Sequence, residues 1–167
     1  CKHCISPEYI YISKLDVAVL KELPGAKLII TDSKKDTVDS WTSTNAPHQM
    51  AMHSFVSGEE YTLTEITAPF GYEIAESIVF KLDETGTIYI KGSDGQFYKN
   101  THKSADTIEM RDELEYIYIS RIDRDTKDDV PGSELKVVDY TGTTVGYWTT
   151  TTDRYEVWIQ VFEPNKE

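Results

Sequence analysis

The chain has 167 residues and a formal net charge of −12 at pH 7, a length that suits one domain or one domain with part of another. This acidity argues against nucleic acid, whose phosphates need a basic surface, and against anionic lipid. We interpret it as a solvated surface. No apolar run reaches transmembrane length, so we expect no membrane insertion in this segment.

The N-terminal residues 1–7 contain the only cysteines, Cys1 and Cys4, in the sequence Cys-Lys-His-Cys. Such a pair is typical of a redox motif or of half a zinc site, but a zinc site needs about four ligands and His3 alone is a poor supplement. We therefore interpret residues 1–7 as a tail or linker. The sequence predicts no metal site and no cofactor.

Short alternating segments separated by turns predict strands along the chain. The first, residues 8–16, places Ile10, Ile12 and Lys14 on one face. Further strands are predicted at residues 26–31, 38–44, from Tyr61 onward, 77–82, 87–90 and 107–114, with turns at residues 23–25, 57–58, 83–86 and 92–95. Residues 48–55 are interpreted as a connection. No segment has a helical period with caps, so we predict an all-β sandwich that is Ig-like in appearance.

An internal repeat divides the chain. Glu8-Tyr-Ile-Tyr-Ile-Ser recurs 107 residues later as Glu115-Tyr-Ile-Tyr-Ile-Ser, and Pro24-Gly25 and Trp41-Thr42 recur at the same offset without a gap. We predict one repeat over residues 8–114 and the N-terminal part of a second, truncated repeat over residues 115–167. The second part lacks the strands that would cover its apolar face.

Three ionisable residues occupy core-facing positions on three predicted strands. Tyr61 and Leu63 should face the core, and the same alternation turns Glu65 inward; Lys14 and Asp112 are placed likewise. A buried charge costs several kcal/mol unless it is paired, which favours a cluster of the three.

Two interpretations of this cluster remain open. It is either a buried salt-bridge cluster or an amide-forming site, because burial lowers the pKa of an amine and raises that of a carboxylic acid. A neutral amine is a nucleophile and a protonated carboxyl an electrophile. A nearby carboxyl group then serves as proton carrier.

The motifs around these residues resemble a known family. Tyr-Ile-Ser-Lys14-Leu-Asp, Tyr-Thr-Leu-Thr-Glu65-Ile-Thr-Ala-Pro-Phe-Gly-Tyr and Ile-Glu-Met-Arg-Asp112 are similar to the Cna B-type (SpaA-type pilin) domain of Gram-positive surface proteins. The resemblance spans residues 8–114. It implies a transthyretin-like (prealbumin-like) β-sandwich. It also implies a spontaneous isopeptide bond from Lys14 to Asp112, assisted by Glu65. Asn100 is a weaker alternative acceptor, because it lies in a polar stretch without strand alternation.

The second repeat departs from this pattern, because Arg121 stands where Lys14 would. A guanidinium stays protonated and cannot act as the nucleophile. We therefore predict no isopeptide bond in residues 115–167.

Other motifs carry weaker signals. The run Asp123-Arg-Asp-Thr-Lys-Asp-Asp129 has the look of a calcium loop but lacks the Gly and distal Glu of an EF-hand, and we interpret it as a solvated acidic loop. His48, His53 and His102 lack ligand spacing. Trp41 and Trp148 are interpreted as packing residues.

The function that the resemblance implies is structural: a stalk or spacer module of a bacterial cell-surface or pilus protein, located outside the cell on the cell wall or pilus. Neighbouring repeats of the same protein would be its partners. The alternative is an adhesive module that binds a host or matrix ligand through exposed loops. A large exposed apolar patch would favour adhesion. The sequence predicts no enzyme beyond the single-turnover trio.

Overall fold

The computed structural model describes residues 9–101 and 104–159, which form two compact units that divide between Glu113 and Leu114. Within these residues the secondary structure is almost entirely β. The first unit contains β1 (Tyr9–Asp16), β2 (Lys27–Thr31), β3 (Thr37–Thr42), β4 (His48–Ala51), a 3-10 helix (Met52–Ser54), β5 (Tyr61–Thr67), β6 (Ile78–Leu82), β7 (Ile88–Lys91), β8 (Phe97–Lys99) and β9 (Thr107–Asp112). The second contains β10 (Tyr116–Ile119), β11 (Glu134–Val138), β12 (Thr144–Thr149) and β13 (Tyr155–Trp158).

The first unit is a sandwich of two sheets. One sheet has the order β4-β1-β9 and the other the order β3-β2-β5-β6-β7-β8. Strand β1 pairs antiparallel with β4 and parallel with β9, so the first and last strands of the unit are neighbours. All pairs in the six-stranded sheet are antiparallel. This topology gives the predicted prealbumin-like β-sandwich.

The core lies between the two sheets and follows the period-two alternation of the strands. Aromatic rings fill one part of it, where Phe55 and Phe80 each pack within 6 Å of Tyr61 between ring centroids. The other large hydrophobic side chains that are fully buried are aliphatic: Ile10, Ile12, Leu28, Ile30, Leu63, Ile88, Ile108 and Met110.

Two strands of the first unit were not predicted from the sequence pattern. Residues 48–51, interpreted above as a connection, form β4 on the edge of the three-stranded sheet, where Met50 is their one buried residue. Residues 97–99 form β8 on the edge of the larger sheet. Both are short edge strands with little burial, so periodicity gives little signal for them. Strand β9 ends at Asp112, before Leu114.

The second unit repeats the first four strands. Its sheets pair β10 with β13 and β11 with β12, and each strand starts 107 residues after its counterpart in the first unit. The register matches as well: Leu28 pairs with Trp41 in the first unit and Leu135 with Trp148 in the second. A register shift follows Ile30 in one and Val137 in the other.

The apolar face of the second unit is only partly covered by the described residues. Ile10 is 0% exposed in the first unit, whereas its counterpart Ile117 is 36% exposed. The physical reason is that, among the described residues of this unit, no strands correspond to β5, β6 and β9, which bury this face in the first unit.

Helices contribute little to the described chain. None of them is long and apolar enough to cross a membrane.

Candidate functional site

The three predicted residues meet at one place in the core of the first unit. Lys14 and Asp112 extend from the neighbouring parallel strands β1 and β9, and Lys14 pairs in register with Met110, two residues before Asp112. The long lysine side chain crosses this diagonal, and its Nζ contacts Oδ1 of Asp112 directly. Glu65 approaches from the opposite sheet, with Oε1 at 3.1 Å from the same Nζ. The amine therefore joins the two layers of the sandwich.

The site is closed to solvent. The exposed fractions are 1% for Lys14, 3% for Glu65 and 0% for Asp112. Ile108 and Met110 precede Asp112 on the same buried face of β9, so the acid stands at the end of an apolar row. A cluster with so little access to water has a low local dielectric, which strengthens every interaction within it.

Burial raises the pKa of the Asp112 carboxyl to about 6, from an ordinary value of 3.8. The hydrogen bond and charge of Lys14 oppose this rise in pKa, and the neighbouring Glu65 adds to it. Oδ2 of Asp112 is buried and has no hydrogen-bond partner among the described residues. Both observations raise the share of the protonated acid, since an ionised carboxylate leaves this oxygen charged and without a hydrogen bond.

Glu65 is held from behind by a backbone group. It lies on β5 opposite Leu28 of β2, and its Oε2 accepts a hydrogen bond of 2.7 Å from the backbone N–H of Ala75. With one oxygen fixed in this way, the other points toward Lys14. The carboxyl group can thus exchange a proton with the amine without leaving its position.

The trio contains the groups that amide formation needs. The amine lies against a carboxyl group, and a second carboxyl group contacts the same nitrogen. Its geometry is also that of an ion cluster before any covalent step.

The alternative acceptor, Asn100, is placed elsewhere. It lies in the loop after β8, as expected from the sequence, but it is only 4% exposed. The amide Nδ2 donates to the backbone oxygen of Thr107, which pairs with Tyr11, three residues from Lys14 along β1. Thr107 begins β9, whereas the Lys14 amine contacts Asp112 at the end of this strand, so the Asn100 amide is held at the other end of β9 from the amine.

The other predicted residues fall outside the site. Arg121 is exposed, and its guanidinium donates to Oγ of Ser133. Trp41 packs against the core and stacks on His48 at 4.1 Å between ring centroids. The equivalent Trp148 stacks on Tyr155 at 4.2 Å.

In the predicted acidic loop, a side chain hydrogen-bonds to backbone groups of the same loop. Asp123 accepts hydrogen bonds from the N–H groups of Asp125 and Thr126. In the part of the chain that the structure describes, no group of three or more His, Cys, Asp or Glu side chains is arranged to hold a metal ion. Cys1, His3, Cys4 and His102 lie outside the described residues.

The segment that holds Glu65 in place was not predicted from the sequence. Residues 68–77, between β5 and β6, supply the Ala75 N–H that holds Glu65. The Ala68-Pro-Phe-Gly-Tyr72 sequence marked this segment as a turn, but a backbone donor leaves no trace in the choice of side chain.

Together, the fold and the site define an all-β prealbumin-like domain with a buried Lys–Glu–Asp cluster between its first strand, last strand and opposite sheet. Residues 8–96 match the family model described as the SpaA prealbumin-like fold domain. The match covers more than half of the chain, and the chain belongs to this family.

Several solved structures resemble the chain at low sequence identity. The Bacillus anthracis TIE protein aligns with a TM-score of 0.50 and 19% identity over 89% of this chain and 26% of its own. The C-terminal fragment of pilus adhesin SpaC from Lactobacillus rhamnosus GG gives 0.49 and 21%, over 65% and 46%. The pilus-presented adhesin Cpa gives 0.46 and 22%, over 89% and 40%. The chain thus spans less than half of each of these three structures. No curated protein sequence matches it.

Proposed function

We propose that residues 8–114 form a structural stalk or spacer module of a bacterial cell-surface or pilus protein, locked by a spontaneous isopeptide bond between Lys14 and Asp112. The observation that carries the proposal is the direct contact of the Lys14 amine with the Asp112 carboxyl in a site closed to water. A buried salt bridge alone contributes little to stability, because the loss of hydration offsets the attraction of the charges. A covalent product of the same contact stabilises the fold without that cost.

The reaction is a condensation within the folded chain. The lone pair of Lys14 Nζ attacks Cγ of Asp112, a bond forms between nitrogen and carbon, and one carbon–oxygen bond of the carboxyl group breaks. The oxygen leaves as water, with one hydrogen from the amine and one from the protonated carboxyl. Glu65 accepts a proton from the nitrogen and returns it to the departing oxygen. No oxidant or co-reactant is needed.

Positioning supplies much of the rate. Strands β1 and β9 hold the amine and the acid in contact before reaction, which converts a bimolecular step into a unimolecular one. The raised pKa of Asp112 increases the share of protonated acid at neutral pH. The chain performs the step once, so the trio is not an enzyme active site with turnover.

A bond at this position suits a module under tension. Force that enters at the start of β1 and leaves after β9 would pass through Lys14 and Asp112 and bypass the strands between them. The bond would also survive reducing conditions, unlike a disulfide. These properties support a load-bearing role outside the cell, on the cell wall or pilus, with neighbouring repeats of the same protein as partners.

The second unit fits the same proposal as a part of another repeat. Its strands and register follow the first unit at a constant offset. Arg121 replaces the reactive lysine there, so we assign one cross-link to the chain and place it in the first unit.

The test is the intact mass of the denatured chain. We expect a deficit of one water molecule, and we expect the full mass for each of Lys14→Ala, Glu65→Ala and Asp112→Ala. The control is Glu60→Ala, an exposed glutamate that pairs with Lys91 at 3.2 Å and should keep the deficit. A wild-type chain of full mass would leave only the salt-bridge cluster, and a deficit of one ammonia would redirect the acceptor to an asparagine.

A further inference from the structure

The connection between β5 and β6, residues 68–77, is attached to all three strands that carry the trio. The N–H of Ala75 donates to Glu65 Oε2 at 2.7 Å. The N–H of Glu73 donates to the backbone oxygen of Glu113 at 2.9 Å, one residue after Asp112. The phenol of Tyr72 donates to Oδ2 of Asp16 at 2.6 Å, two residues after Lys14. Three hydrogen bonds therefore fix the connection beside the residues of the trio.

The Tyr72 hydrogen bond is the one whose donor is a side chain. Asp16 pairs in register with Asp112 across β1 and β9, so the phenol binds the sheet next to Asp112. The hydrogen bond from Tyr72 is the main cause that lowers the pKa of Asp16. Asp16 therefore stays ionised, and the hydrogen bond is charge-assisted. Gly71, with φ of +87°, adopts the left-handed conformation that brings the chain back at this point.

We propose that Tyr72 is a positioning residue for the Lys14–Asp112 bond, acting through Asp16 and the connection to keep Glu65 directed at the amine. The inference rests on the proposed function. Without the Tyr72 hydrogen bond, residues 68–77 detach from the sheet for part of the time, and the hydrogen bond from the Ala75 N–H to Glu65 Oε2 breaks. The other oxygen of Glu65 then loses its fixed distance of 3.1 Å to Nζ. Proton transfer to and from the amine slows, while the amine and the acid stay in contact.

The experiment measures the rate of bond formation in the full chain. The chain is made in a short cell-free pulse, samples are denatured at intervals, and the fraction lacking one water is read by intact mass. We expect Tyr72→Phe, which removes only the hydroxyl group, to slow the reaction about tenfold, equivalent to about 1.4 kcal/mol in the barrier. The bond still forms in the end, because all three reactive residues are present.

A matched control separates positioning from general stability. Tyr98, the middle residue of the edge strand β8, donates to Oδ2 of Asp94 at 2.5 Å, so Tyr98→Phe removes the same kind of hydrogen bond on a strand that β6 and β7 separate from β5. It should leave the rate unchanged. The stability cost of each Tyr→Phe change is measured in the bond-free Asp112→Ala background. If Tyr72 had only a structural role, Tyr72→Phe would lower the melting temperature in this background. The rate of bond formation in folded molecules would then be the same as in the wild type.

A second variant keeps the test independent of Tyr72→Phe. Asp16→Ala removes the accepting carboxylate and should slow bond formation at least as much, and the double variant should be no slower than Asp16→Ala alone, because Tyr72→Phe then has no acceptor left to lose. Equal rates for wild type and Tyr72→Phe, or fully additive effects, would overturn the positioning role while the cross-link stands. A wild-type chain of full mass would overturn the proposed function and the positioning role together.

Discussion

The replacement Glu65→Gln gives the sharpest prediction of what the cross-link contributes. It leaves Lys14 and Asp112 in place and keeps a side-chain oxygen that can accept from Ala75, but it removes the group that carries the proton. We expect the variant to retain the full, unmodified mass. Its two reactive side chains remain in contact as an ion pair.

The magnitude follows from the length of chain that the bond closes. Lys14 and Asp112 are 98 positions apart, and on the chain-entropy model used for disulfides a loop of about 100 residues stabilises by about 4.7 kcal/mol. A domain of about 100 residues loses at least ~4 °C of melting temperature per kcal/mol. Loss of the bond should therefore lower the melting temperature by roughly 20 °C.

The assay pairs calorimetry with intact mass on the same samples. Glu60→Gln is the matched control, because it changes an exposed glutamate in a surface pair with Lys91 that contributes at most about 1 kcal/mol. A full-mass Glu65→Gln chain that melts within a few degrees of wild type would refute the stabilising role of the bond. A Glu65→Gln chain that still lacks one water would refute the proton-carrier role.

Three further outcomes are expected. Asp112→Asn should reach the same final mass as mature wild type, because loss of ammonia from the amide and loss of water from the acid leave the same product; an Asp112→Asn chain that keeps its full mass, one unit below that of unreacted wild type, would count against this. In Lys14→Ala the two effects that lower the Asp112 pKa are gone, so this acid stays protonated in the folded chain above the ordinary pKa of 3.8. The unfolding free energy of the Lys14→Ala variant should then fall as the pH rises from about 4 to 7. Calorimetry should find no such slope in cross-linked wild type, because residue 112 no longer titrates there. Arg121→Lys should add no second deficit of water to the intact mass.

The inward orientation of Lys14, Glu65 and Asp112 was predictable because strand periodicity is strict. Each follows apolar residues at the two preceding same-face positions, and a slip of one residue would have turned the apolar row to solvent. The structure confirms the burial of all three. The predicted prealbumin-like sandwich is confirmed in the same way, by alternation and by the family match.

The pairing of the strands could not be predicted from alternation in the sequence. Alternation fixes which face a residue occupies but not that β9 lies parallel to β1 or that Glu65 arrives from the opposite sheet. Asn100 shows the same limit, since its burial depends on hydrogen bonds to the backbone of Ile88 and Thr107. Such partners are distant in sequence and carry no local signal.

The most direct measurement of the central claim is tandem mass spectrometry of a tryptic digest. Acylation of Lys14 blocks cleavage after it, so a Lys14–Asp112 bond predicts one branched peptide in which residues 3–21 are joined to residues 112–121. This peptide lacks one water, and its fragment ions place the branch at Lys14 and Asp112. Separate, unmodified peptides of residues 3–14 and 112–121 from the folded, mature wild-type chain would contradict it.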